Sequence, residues 1–435
     1  MNSKVWTGSQ IRKLARKLKQ DNEVKDAPHD LEESENFNKS PRQSTSDFDA
    51  KSKLSYWNQF EESFGDRVVV ALPSEYDLGE ETEILRLSRT LDLDISDVLS
   101  LRIREPDGAT YVGEGQLSRI RKSLQKHDAG ALILDAPLKP GQVKNLEKAL
   151  KVSVVDRHAL ILSIFQAHAQ SRLAQRQVEL AQLKYLLPRL SGVWLGLSRQ
   201  RGAKGGLGGR GLGETRLELD RRVVKDRIAF LTKKLKDAEK SFRVQSAGRS
   251  NLPRVALVGY TNAGKSTLMQ QLTRAPVYIE DKLFATLETT VRKLNPPTRP
   301  QILVSDTVGF VRELPHDLVA SFKSTLAEAV ESRVLLHVVD VHDPEWAQHF
   351  RTTEEVLEEI GASGVKKILV LNKCDELRVS PKIRESQAKR MIGEDSNYLG
   401  VISISARKNE GVDELKHILI EECNAEIPDW VKVES

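Results

Sequence analysis

The chain has 435 residues, 30% charged and 39% hydrophobic, with a formal net charge of +5. That length suits two to four domains with more than one core. No apolar run approaches the ~20 residues of a membrane span, and so mild a charge balance names no partner by itself.

The first twenty residues, MNSKVWTGSQIRKLARKLKQ, are basic and contain no acid, which fits an organelle transit peptide or a basic arm. Residues 1–63 are polar and read as a disordered extension. Cys374 and Cys423 match no metal spacing and read as reduced thiols. A cytoplasmic protein is expected, with the mitochondrial matrix or another organelle as the alternative.

Residues 64–165 alternate between strand and helix patterns. RVVVALP, VLSLRI, GALILDA and SVVDR read as strands; EILRLSRTL, GEGQLSRIRKSL and QVKNLEKAL read as helices. Such alternation predicts a small parallel α/β domain. In VVDRHAL, Asp156, Arg157 and His158 read as a structural ion pair or helix cap beside an exposed histidine.

Residues 166–250 change character. Two long helical patterns, IFQAHAQSRLAQRQVELAQLKYLLPRL and ETRLELDRRVVKDRIAFLTKKLKDAEKSF, flank GAKGGLGGRGLG, which disfavours helix and strand alike. They predict an antiparallel helical hairpin with a Gly-rich loop. Arg199, Arg201, Lys204, Arg210, Arg216, Arg221 and Arg222 surround that loop, against Glu214, Glu218 and Asp220. A basic loop of this kind suits phosphate contacts, although a solvated helix face with ion pairs such as Glu218–Arg222 reads equally well from residues alone. Trp194 fits the hairpin core as well as it fits RNA.

From 251 to 422 the strands are continuous apolar runs, VALVGY, ILVSDT, VLLHVVD, ILVLNK and GVISIS, as in a parallel sheet covered on both faces. VHD at 341–343 reads as a helix start, and 423–435 as a tail. VALVGYTNAGKST is a strand, a phosphate loop and a helix start. Its Gly259, Tyr260, Thr261, Asn262, Ala263 and Gly264 build a backbone nest for phosphates. Lys265 would reach the β- and γ-phosphates, Ser266 would ligate Mg²⁺, and Thr267 follows in the helix. Asp306 ends a strand where a second Mg²⁺ carboxylate, acting through water, belongs; Thr307 and Val308 lead to Gly309, whose N–H suits the γ-phosphate. Asn372, Lys373 and Asp375 follow another strand. The Asp375 carboxylate can accept both N1–H and N2–H of guanine, which adenine cannot return. Ser405, Ala406 and Arg407 sit where a backbone N–H suits guanine O6. The order predicts GTP over ATP.

These residues resemble the HflX family of GTPases, within the Obg-related group. The resemblance runs from about 66 to 422 and rests on GYTNAGKSTL, LFATLETTVRKL, DTVGFVRELPHDLVASFKSTL and NKCD, and on YVGEGQ, VVDRHALILSIFQAHA, VELAQLKYLLPRL and GGRGLGETRLELDRR. It implies a GTPase domain that acts with Mg²⁺ on GTP and GDP. It also implies binding to the large ribosomal subunit and its RNA, with splitting or rescue of ribosomes. The alternative is an RNA-binding factor in large-subunit assembly or anti-association. A monomer is expected. The resemblance places a switch at Phe284, Ala285, Thr286, Leu287 and Glu288, with Thr286 closing on Mg²⁺ and the γ-phosphate. Thr289 and Thr290 then read as solvated loop hydroxyls. Glu288-Thr289 stands where the family often has Asp-Pro, Leu212 where Pro is usual, and Cys374 at a variable position.

Phe310 follows Gly309 where a water-positioning side chain is expected, and it carries no polar atom. Slow intrinsic turnover, raised by the ribosome, is therefore expected. Asn262 stands where some GTPases with an apolar residue at this switch position hold K⁺, so K⁺ is a second candidate cation beside the phosphates. Phe310 and Leu314 are expected to pack differently with GTP and GDP.

Overall fold

The computed structural model describes residues 67–73, 82–191, 210–247, 252–275, 283–284, 290–313, 322–393 and 397–428. The N-terminal extension, Trp194, the glycine-rich loop up to residue 209, Thr286 with its neighbours 285–289, and Leu314 lie outside them.

The first layer is β1 (Arg67–Leu72), α1 (Glu83–Thr90), β2 (Asp94–Ser100), α2 (Glu114–His127), β3 (Ala131–Leu134), α3 (Pro140–Leu150), β4 (Ser153–Asp156) and α4 (Arg157–His168). Its four strands are parallel, in the order β2-β1-β3-β4. Alternate residues of a strand point to opposite faces. Val68, Val70 and Leu72 thus enter the core shared with α1 and α4, while Val69 and Ala71 enter the one beneath α2 and α3. The sequence reading started β2 four residues late, at Val98. Asp94 and Asp97 disguise an edge strand, which needs no continuous apolar run.

Two further differences concern the helices. The single pattern expected from Ile164 to Leu190 is two helices, α4 and α5 (Arg172–Leu186), and the expected domain boundary at 165/166 falls within α4. The break is capped: Ser171 accepts the amide of Ala174, and Asp156 does the same for Ala159 at the start of α4. Conversely, α6 (Arg210–Ala247) begins inside the stretch expected to resist helix and takes in Gly211 and Gly213. A glycine weakens a propagating helix by about 1 kcal/mol but does not forbid it. Leu180 and Leu183 of α5, with Leu190 from the turn after it, pack against Val224 and Leu231 of α6, beside a bidentate Arg227–Glu179 pair at 2.7 Å.

The second sheet holds β5 (Arg254–Gly259), β6 (Thr290–Lys293), β7 (Leu303–Asp306), β8 (Val334–Asp340), β9 (Lys366–Asn372) and β10 (Tyr398–Ser403), in the order β10-β9-β8-β5-β7-β6. All pair in parallel except β6, which is antiparallel to β7 and was not expected. Thr290 opens β6 opposite Asp306, so it is a strand residue rather than a loop hydroxyl. Around the sheet lie α7 (Lys265–Thr273), α8 (Lys323–Val330), α9 (Trp346–Glu359), α10 (Pro381–Ile392) and α11 (Val412–Glu422). The VHD stretch precedes α9 by three residues as a turn, in which Asp343 accepts the Glu345 amide. The chain also stays in the domain beyond the expected tail start. Cys423 and Ala425 are buried, and Glu426 exchanges two backbone hydrogen bonds with Arg299.

One apolar core joins the two sheets' domains. Phe165 of α4 packs its ring 4.5 Å from that of Phe284 and 5.3 Å from that of Phe322, both in tilted geometry. Leu283, Val308, Val311 and Tyr260 belong to the same core as Leu160, Ile161 and Ile164. The first domain therefore sits on the segments that follow the phosphate loop and the DTVG motif.

Candidate nucleotide-hydrolysis site

The ends of β5, β7, β9 and β10 converge on one edge of the second sheet, where open α/β folds place their ligands. Residues 259–266 carry the chain from β5 into α7. Gly264 has φ +89°, and a Cβ there would come 2.2 Å from Nδ2 of Asn372, so no side chain fits. Asn262 is exposed, at φ 60°. Lys265 opens α7 and is buried; its Nζ donates to the carbonyls of Gly259 at 3.0 Å and Tyr260 at 2.8 Å. Burial pulls this ammonium down to about 8, partly opposed by the Asp306 charge. Ser266 donates its hydroxyl to Asp306 Oδ2 at 2.7 Å. Thr267, next on α7, is half-buried.

The DTVG segment lies directly on this loop. Phe310 donates its amide to the Gly259 carbonyl at 3.1 Å and accepts that of Thr261 at 2.8 Å. Gly309 is so close that a Cβ would fall 2.9 Å from Thr261 Cα and 3.0 Å from Lys265 Nζ. Backbone alone is therefore presented there. The side chains of the segment point elsewhere: Thr307 donates to the Leu257 carbonyl at 2.6 Å, and Val308 is buried in the interdomain core. Phe310 is 1% exposed and packs among Ala256, Val258, Leu326, Leu335 and Leu357. It is a core residue pointing into the sheet's helix-covered face. Phe284, expected to face nucleotide, is likewise buried against Phe165.

Asn372, at the end of β9, connects two loops. It donates to the Ala263 carbonyl at 2.8 Å and accepts the Ala406 amide at 3.0 Å. The Ala406 N–H that the sequence suggested for a base is thus engaged by Asn372. Lys373 adopts φ 63° and pairs with Asp340 at 2.7 Å. The Asp375 carboxylate is 7% exposed, 3.7 Å from Lys408. The Ser405 hydroxyl beside it holds the carboxyl below its ordinary range. Arg407 is exposed, 3.9 Å from Glu376.

Sequence reasoning missed Asp340. It ends the central strand VLLHVVD, and a carboxylate at the C-terminal end of a buried parallel strand was the available signal. The structural ion pair expected at Arg157 is present but reaches outside VVDRHAL, and only the expected exposure of His158 differs. Arg157 is fully buried, pairs with Glu83 and with Asp135, and donates through Nε to the Arg312 carbonyl at 3.2 Å. His158 is half-buried, and desolvation lowers its pKa.

Three family profiles match in succession: "GTP-binding GTPase N-terminal" over 80–166, "GTP-binding GTPase Middle Region" over 168–249 and "50S ribosome-binding GTPase" over 254–373. The GTPase HflX of Caldanaerobacter subterraneus is 45% identical over 318 residues, 72% of this chain and 73% of that protein. The chain belongs to the HflX family of GTPases. The Escherichia coli GTPase HflX is 38% identical over 371 residues, covering 81% of this chain and 85% of its own. A GTP-binding protein of the archaeon Sulfolobus solfataricus, solved with GDP, is 26% identical, covers 82% of this chain and 99% of its own, and superposes with a TM-score of 0.43. As an HflX protein, the chain is an enzyme that binds GTP and GDP and hydrolyses GTP.

Proposed function

We propose that the chain is a Mg²⁺-dependent GTP switch that binds the large ribosomal subunit and splits or rescues ribosomes. The observation that carries this reading is the stacking of Gly309 on the Lys265 loop within the domain matched by the 50S ribosome-binding GTPase profile. In the proposal the backbone of residues 259–266 cradles the phosphates, and Lys265 leaves its two carbonyl partners for the β- and γ-phosphates. Asp375 reads guanine, Lys373 lies along its face, and Asn372 positions both loops without touching the base.

The donor set suits Mg²⁺. Ser266 and Asp306 offer a hydroxyl and a carboxylate, both hard oxygens, already 2.7 Å apart. Mg²⁺ binds through one or two such groups plus phosphate oxygens rather than an all-protein cage. It would supply charge neutralisation at the phosphates. Thr286 is proposed to complete the site. The residue after Gly309 contributes no side chain to the attacking water, so positioning falls to backbone, to the bound ribosome and to K⁺ held near Asn262. The α5–α6 hairpin is proposed to meet ribosomal RNA, with Arg222, Lys225, Lys233 and Lys236 exposed along α6. A monomer in the cytoplasm, or in the mitochondrial matrix, completes the reading.

Sedimentation of intact ribosomes with the protein tests it. Subunits should separate with a non-hydrolysable GTP analogue and stay joined with GDP. Equal binding to free large subunits in both states, without splitting, favours the assembly or anti-association role instead.

A further inference from the structure

With the Phe310 ring turned into the core, the residue after Gly309 leaves the attacking water without a side-chain partner. Several hydroxyls around the site are already engaged. Ser266 donates to Asp306 at 2.7 Å, Thr307 donates to the Leu257 carbonyl at 2.6 Å, and Ser405 accepts the Lys408 amide at 3.1 Å. Thr261 differs. Its amide is bonded to the Phe310 carbonyl at 2.8 Å, so it cannot serve a phosphate. The residue is 7% exposed, and its Oγ1 is buried with no hydrogen-bond partner among the described residues. Native proteins rarely leave such a group unpaired without a functional reason.

Thr261 lies against the groups assigned to the γ-phosphate. A Cβ at Gly309 would fall 2.8 Å from Thr261 Cγ2 and 3.0 Å from Lys265 Nζ. Thr261 and Asn262 also line a small cavity with Leu283, which precedes the segment carrying Thr286. Thr261 thus stands where the DTVG segment, the cation position at Asn262 and the start of the switch meet. We propose that the Thr261 hydroxyl orients the attacking water, the task for which Phe310 has no polar atom. The inference deepens the switch reading above and rests on it. A hydroxyl can accept a hydrogen bond from water and so leave a lone pair of the water oxygen free to face phosphorus. That oxygen bonds to the γ-phosphorus as the bond from phosphorus to the bridging oxygen of GDP breaks. Both water protons end on the phosphate or in solvent. Thr261 itself gains and loses none, so its part is positioning rather than base catalysis.

The test is GTP hydrolysis without ribosomes by Thr261→Val, Thr261→Ala and Thr261→Ser. Thr261→Val keeps the branched shape and removes the hydroxyl. Because that hydroxyl is unpaired, its loss should not lower the urea midpoint. Thr261→Val and Thr261→Ala should each reduce kcat about tenfold or more, the worth of one well-placed hydrogen bond, with KM and GDP affinity within twofold of wild type. Thr261→Ser keeps the hydroxyl and should recover most of the rate. Wild-type kcat in Thr261→Val overturns the proposal, as does a Thr261→Ser variant as slow as Thr261→Val, which would mark a packing role. A raised KM at unchanged kcat also overturns it, because the hydroxyl would then hold the ground state alone. Should one hydroxyl-free variant fail to fold, the other decides. Each rate is compared with the wild type's own basal turnover. A wild type that subunits fail to stimulate would therefore count against the ribosomal reading while the basal ratios still judge Thr261.

Discussion

Asn372 holds Ala263 and Ala406 together, donating to the carbonyl of one at 2.8 Å and accepting the amide of the other at 3.0 Å. One side chain thus ties the phosphate loop to the loop after β10, 109 residues and 34 residues away in sequence. Asn372→Ala leaves two buried backbone groups without partners, a loss of about 1–3 kcal/mol each. GDP affinity should fall by about tenfold or more, measured by calorimetry, with little loss of specificity for guanine over adenine. Asp375→Asn should instead weaken that specificity.

Phe310 packs into the core from the position where a polar catalytic residue was sought. Phe310→Gln should therefore give no gain in turnover. It should destabilise the protein by about 2–4 kcal/mol, read as a lower urea midpoint, because it buries an amide in a cavity shaped for a ring. Faster hydrolysis by Phe310→Gln would show that the side chain can face the phosphates.

Ser266 and Asp306 share a hydrogen bond that suits a Mg²⁺ ligand pair. Ser266→Ala and Asp306→Asn should each abolish the gain in GTP affinity that Mg²⁺ confers while leaving GDP binding in EDTA nearly unchanged. Equal Mg²⁺ dependence in both variants and the wild type would remove these residues from the metal's shell.

Glu354 accepts from Lys367 at 2.6 Å and from Tyr398 at 2.8 Å, beside the buried His337. Burial pushes its carboxyl up, but the hydrogen bonds from His337 and Lys367 prevail and hold it at about 2, against an ordinary 4.5. With the folded pKa depressed, this stabilisation is complete above 4.5 and is lost as pH falls towards 2. His337 is lowered from 6.5 by desolvation, so its contribution is likewise lost as pH falls below that value. Urea midpoints should drop on acidification from pH 6.5, and the deficit of Glu354→Gln should shrink between pH 4.5 and 2. A deficit that stays constant there contradicts the assignment.

The parts legible in the sequence were those written in short spacings. Gly259 to Ser266, Asp306 to Gly309 and Asn372 to Asp375 each sit on one strand end, where backbone geometry dictates glycine or a particular polar group. Buried strands such as VLLHVVD were plain because both faces are covered. Edge strands β2 and β6 were obscure because one side needs no apolar residue. The start of α6 at Arg210 was hidden by glycines that a long helix absorbs. The contacts of Phe284 and Arg157 were illegible for a different reason. Their roles depend on partners in the other domain, such as Phe165 and the Arg312 carbonyl, and no local pattern encodes a contact across 155 residues.

The most direct test of the central claim is GTP hydrolysis by wild type and Lys265→Ala, each with and without large ribosomal subunits. The account predicts slow turnover by the wild type alone, acceleration on the subunit, and loss of both in Lys265→Ala. Hydrolysis that survives Lys265→Ala, or that subunits leave unchanged, would contradict it.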